Sequence, residues 1–115
     1  MSSVPYKFTT AASTNLQKVR DGQTANLKGF AVANVATAIY IKLYWFTPVS
    51  NADGPTVGTT IPNMTIGVGA SANDHEGWPD GITGNGQLWV AVTAAAADSD
   101  SGVAAAGAVV TLLVE

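Results

Sequence analysis

The chain has 115 residues, no cysteine, 11% charged against 47% hydrophobic residues, and a formal net charge of −3. That length suits one domain with a core of its own and leaves no room for a second, and the lack of thiols excludes disulfides, thiolate chemistry and Cys-type zinc sites. No apolar run approaches the ~20 residues that span a bilayer, and Met1-Ser2-Ser3-Val4-Pro5 lacks the basic and apolar regions of a signal peptide, so a soluble protein not exported by that route is expected.

Residues 1–13 mix Ser, Thr, Ala and Pro with an alternating apolar minority, Val4, Tyr6 and Phe8. They read as an N-terminal arm, which either pairs as an edge strand on its own domain or reaches across to a neighbour. The rest of the chain, 14–115, reads as one domain. A weak strand at 14–20 closes on Asp21-Gly22, a favoured hairpin turn. A better strand follows at 24–34, with Phe30 and Val32 on one face; Leu27 has the wrong parity, and Gly29 is where a bulge restores register.

The strongest strand signal is 38–46, rich in β-branched and aromatic residues and free of Gly, Pro, Asn and Asp. Alternation puts Ile39, Ile41, Leu43 and Trp45 on a core face, and Tyr40, Lys42, Tyr44 and Phe46 on a face suited to solvent or to the rim of a contact. Residues 47–60 form a long loop with its tightest corner at Asp53-Gly54-Pro55. A strand at 61–68 carries Met64, Ile66 and Val68 on one side. The segment 70–80, with Asp74, His75 and Glu76, closes on a turn at Trp78-Pro79-Asp80-Gly81. Another strand lies within 82–93, where Leu88, Val90 and Val92 oppose Trp89. After the loop Asp98-Ser99-Asp100-Ser101-Gly102, a final strand at 106–114 is apolar on both faces, which suggests that it touches another subunit as well as the core. The alanine runs at 94–97 and 103–106 are too short to nucleate a helix. Seven or eight short strands separated by turns predict an all-β fold, an antiparallel β-sandwich that is jelly-roll-like and carries an extended N-terminal arm.

Few charges leave a surface largely of Ala, Gly, Ser, Thr and Asn, which packs readily against neighbours. All five basic residues (Lys7, Lys18, Arg20, Lys28, Lys42) precede residue 50 and are joined there by one acid, while the other seven acids follow it: +4 for 1–50 against −7 for 51–115. Either antiparallel pairing interleaves these charges, or they form two opposed patches suited to subunit contacts.

The segments Tyr40-Ile41-Lys42-Leu43-Tyr44, Gly54-Pro55-Thr56-Val57-Gly58-Thr59-Thr60-Ile61-Pro62, Trp78-Pro79-Asp80-Gly81-Ile82, Ala97-Asp98-Ser99-Asp100-Ser101 and Val109-Val110-Thr111-Leu112-Leu113 run in an order that resembles small tailed-phage virion proteins of the head decoration or cement group. The resemblance spans roughly residues 11–114 and rests on structural rather than catalytic motifs. It implies a structural protein, made in the host cytoplasm, that sits on the capsid surface of a bacteriophage virion and bridges subunits of the major capsid protein. The chain departs from that pattern in its aromatic Trp45-Phe46 and its longer 47–54 loop.

No catalytic constellation is legible. Asp74 and Glu76 flank the single histidine, His75, on the opposite strand face, and nothing else supplies converging groups. The spacing of Asp98 and Asp100 is that of hard oxygen ligands in calcium loops, but the further acids are missing and a solvated turn is the plainer reading. No cofactor is expected, and five dispersed basic residues in an acidic chain make no nucleic-acid surface. Two functions remain: a capsid-decorating structural protein, or a carbohydrate-binding module with Trp45, Trp78 or Trp89 exposed as stacking platforms. For the first, the contact residues expected are Val4, Tyr6 and Phe8 of the arm, Lys18 and Arg20 beside it, and Thr56, Val57 and Thr59 of the long loop. The two-sided apolar strand and the low charge favour a homo-oligomer, a trimer above all.

Overall fold

The computed structural model describes residues 4–21, 24–49 and 53–115. Among them are eight strands and no helix: β1 (Val4–Thr9), β2 (Gln17–Arg20), β3 (Thr24–Ala33), β4 (Ile39–Phe46), β5 (Met64–Val68), β6 (Asp74–Asn85), β7 (Gln87–Thr93) and β8 (Val109–Val114). They form two four-stranded antiparallel sheets, β1-β8-β3-β6 and β2-β7-β4-β5, packed face to face as a β-sandwich. The pairing is nested: β1 with β8, β2 with β7, β3 with β6 and β4 with β5. Only the β4–β5 connection stays within one sheet, and every other one crosses the sandwich.

Period-two alternation explains the core. Phe30 and Val32 of β3, Ile39, Ile41 and Leu43 of β4, Leu88, Val90 and Val92 of β7, and Val110, Leu112 and Val114 of β8 are all buried between the sheets. The odd parity of Leu27 is absorbed as expected, because the register of β3 shifts between Leu27 and Gly29 against both neighbours and Leu27 turns fully inward. A side chain at Gly29 would put Cβ 2.6 Å from the Glu76 carbonyl oxygen, so this close approach requires glycine.

Four expectations are corrected. Val4–Thr9 is no arm: it pairs along its length with β8, and Tyr6 and Phe8 pack on the core, so the sandwich begins before residue 14. Of the two options for this segment, the edge strand on its own domain is the one observed; residues 1–3 lie outside the described residues. The strands flanking Asp21-Gly22, β2 and β3, belong to different sheets and are not paired as the expected hairpin; Gly22 lies outside the described residues. Trp78-Pro79-Asp80-Gly81 does not end a segment. Between the pairs Gly29↔Gly77 and Leu27↔Ile82, β6 spends four residues where β3 spends one, so the turn chemistry produces an excursion within a strand that then resumes on the same partner. Pro79 is tolerated because β6 is an edge strand, and the Lys28 ammonium donates to its carbonyl. Finally, the second face of β4 is not open, because two loops cover it.

Candidate functional site

The two sheets differ in what lies on their outer faces. On the β2-β7-β4-β5 sheet, Lys42 and Tyr44 point away from the core yet are 0% and 1% exposed. Lys42 Nζ donates to the carbonyl oxygens of Ala97 (2.6 Å) and Asp100 (3.1 Å). The same loop is tied internally, since Ala95 N–H donates to the Asp100 carboxylate, Thr93 Oγ1–H to the Ala95 carbonyl and Asp100 N–H to the Ala97 carbonyl. Residues 94–102 therefore fold round a cation, and that cation is a lysine side chain held by backbone carbonyls. Among the described residues no group of three or more His, Asp or Glu could hold a metal.

The 53–63 segment of the long loop lies against this cap. Gly58, at φ 89°, approaches Ser99 and Ser101, and Gly54 packs on the Trp89 ring. Its tight turn falls at 56–60, where Thr59 and Thr60 N–H both donate to the Thr56 carbonyl. Beneath the cap, the Tyr44 hydroxyl finds no hydrogen-bond partner among the described residues. Burial, and to a smaller degree the Asp98 carboxylate, push its pKa above the usual 10.0.

The outer face of the β1-β8-β3-β6 sheet carries no such cover. Alternation assigns to it Pro5, Lys7 and Thr9 of β1, Val109, Thr111 and Leu113 of β8, Ala31 and Ala33 of β3, and His75 and Gly77 of β6. Leu113 is 39% exposed, and Ala31, His75 and Gly77 are exposed beside it. A shallow groove of about 440 Å3 runs between Thr111, Leu113, Ala31, Phe30, His75, Glu76 and Gly77. Of the ten residues so assigned, Lys7 is the one with a fixed charge. The pattern of β8 revealed its apolar outward side, but not that β3 lays only Gly29, Ala31 and Ala33 beside it.

The expected contact residues fall into separate places. Val4 is exposed, whereas Tyr6 and Phe8 turn inward, with Tyr6 O–H donating to Gln17 Oε1 (2.6 Å) and so tying β1 to β2 across the sandwich. Lys18 Nζ sits 5.8 Å from the Trp89 ring centroid and 3.7 Å from Asp21 Oδ1. Arg20 is half-buried on the same edge. Thr56 and Thr59 are exposed and Val57 half-buried in the turn over the other sheet, away from the open face. The three tryptophans are all half-buried. Trp45 donates to the Ala25 carbonyl and rests on Gly84, Trp78 stacks on Phe30 with centroids 5.7 Å apart, and Trp89 donates to Gln87 Oε1.

Compared with known protein families, curated proteins and solved structures, the chain matches none.

Proposed function

We propose that this chain is a structural virion protein that decorates a phage capsid, bridges major capsid protein subunits and acts as a homo-oligomer, a trimer in its simplest closed form. The observation that carries the reading is the asymmetry of the two sheets. One outer face is sealed by the protein's own loops, and the other presents Leu113, Val109, Thr111, Ala31 and Ala33 with little charge and no cover. Such a face is suited to close packing against a protein surface. The nested strand pairing, as of one long hairpin rolled on itself, supports a jelly roll, an architecture that capsid domains use; this part of the reading is fold-level analogy.

The open face also replaces the arm as the main contact to the capsid, because Tyr6 and Phe8 are engaged at home. The test is the variant Leu113→Glu, which places a carboxylate in the middle of the face while leaving the core side of β8 intact. Its melting temperature should stay near that of the parent, and its occupancy on capsids stripped of the protein should collapse. Full occupancy would overturn the reading. The carbohydrate-binding alternative needs free indole faces and is weakened by the partners of Trp45, Trp78 and Trp89; saturable tryptophan quenching by a glycan panel would revive it.

A further inference from the structure

We infer that copies of this chain associate side to side, the β1 edge of one copy pairing antiparallel with the first four residues of β6 in the next. The inference deepens the homo-oligomer reading above by naming the two surfaces that meet.

Backbone geometry on each edge comes first. Thr10 N–H donates to the Ala108 carbonyl, so in β1 the even residues bond to β8, while Lys7 and Thr9 aim their N–H and C=O groups outward. Pro5, in the same phase, has no N–H to offer there. On β8 the odd residues then face β3, as the paired bonds between Glu115 and Asn26 bear out. Carried across β3, this phase leaves His75 and Gly77 of β6 with outward-facing backbone groups. Each edge therefore holds two adjacent positions with donors and acceptors unused by the sheet, a matched template for one added strand. Because β1 is antiparallel to β8, β8 to β3 and β3 to β6, a copy laid alongside in the same orientation meets β6 with an antiparallel β1.

Charge then selects this contact over its rivals. The β1 side of the sandwich carries Lys7, with Lys18 and Arg20 on the adjacent β2, offset by Asp21 alone. The opposite edge carries Asp74, Glu76 and Asp80, all exposed, with Lys28 bonded to Pro79. A two-fold β1-to-β1 pairing would set Lys7 near its own copy, and β6-to-β6 would do the same with Asp74 and Glu76, whereas β1-to-β6 sets Lys7 beside His75 and Gly77 on the outer face and turns Asp74 and Glu76, on the inner side, toward Arg20 of the underlying β2. Such a contact is heterologous, so it closes into a ring or continues as a chain, and in either case it leaves the open outer sheet faces on one side.

Sedimentation velocity over a micromolar concentration series tests this without any capsid, so its outcome is independent of the virion reading. The parent protein should associate, and the association should weaken as salt is raised. Arg20→Glu, on the inner side of the basic edge, should weaken it by about tenfold or more, and adding Glu76→Lys to that variant should restore it. Thr9→Pro removes one outward N–H without touching the β8 ladder and should weaken association at unchanged melting temperature. A parent that stays monomeric throughout the series would overturn the inference, as would association unaffected by Arg20→Glu and Thr9→Pro.

Discussion

Lys42 shows how much a single side chain can organise on a sheet face. Its stem crosses the outer surface of β4 and its ammonium donates to the carbonyl of Asp100 and to that of Ala97, which also accepts from Asp100 N–H. Lys42→Ala is therefore expected to destabilise the fold by about 2–4 kcal/mol, adding lost packing to two lost hydrogen bonds from a charged donor. Leu43→Ala, on the core face, should cost about 2–5 kcal/mol. Urea denaturation compares the two; a Lys42→Ala variant as stable as the parent would mean that the loop does not depend on the lysine. The sequence places Lys42 opposite the core by alternation, and that much is correct. Whether such a face meets water or a returning loop depends on residues 55 and 58 positions further on, which local periodicity does not contain.

Tyr44 carries the opposite kind of strain: a buried hydroxyl without a partner among the described residues. Tyr44→Phe should be neutral or slightly stabilising at pH 7, since it removes a desolvated polar atom and keeps the ring. The raised pKa gives a further signature. Above about pH 10 the unfolded chain loses the phenol proton while the folded chain keeps it, so the folded state binds more protons and stability falls as pH rises through that window. Melting curves from pH 8 to 11 should show a steeper alkaline decline in the parent than in Tyr44→Phe, and parallel declines would contradict the assignment.

At the level of elements, the strands whose apolar residues alternate cleanly were legible with nearly their observed limits, and so was the Gly29 bulge. Edge strands β2 and β5 were legible as well, whereas the sequence leaves β1 open between an edge strand and an arm and reads β6 as a segment ending in a turn. β1 and β6 are short of apolar residues because one face of each is exposed, and β6 interrupts its own pattern with Trp78-Pro79-Asp80-Gly81, whose turn chemistry is real but serves an excursion. Because β1 contributes Tyr6 and Phe8 to the core and a continuous ladder to β8, deleting residues 1–10 should lower the melting temperature markedly rather than leave the fold intact. An unchanged melting temperature would show that β1 is held only loosely. Gly84→Ala gives a second check of element packing: a Cβ there would fall 2.2 Å from Trp45 Cγ, so the ring has to move, at a cost of about 1–3 kcal/mol.

Across the whole molecule, the nested sandwich sorts its surfaces into three kinds: a face sealed by loops clasped on Lys42, an open face around Leu113, and two edges of opposite charge. The chain-wise split of basic and acidic residues was visible from the start, but its spatial meaning was not, because it depends on β1 and β6 occupying opposite edges of one sheet. The open face was half visible in the apolar outward side of β8; its completion by Ala31 and Ala33 needed the pairing of β3 with β8. The most direct test of the proposed role is imaging of purified virions at a resolution that orients the chain on the shell. Hundreds of copies are expected on the head, each with Leu113 and Ala31 against the major capsid protein and the Lys42-clasped loops outward. A few copies at a vertex or on the tail, or loops facing the shell with the Leu113 face in solvent, would contradict that role.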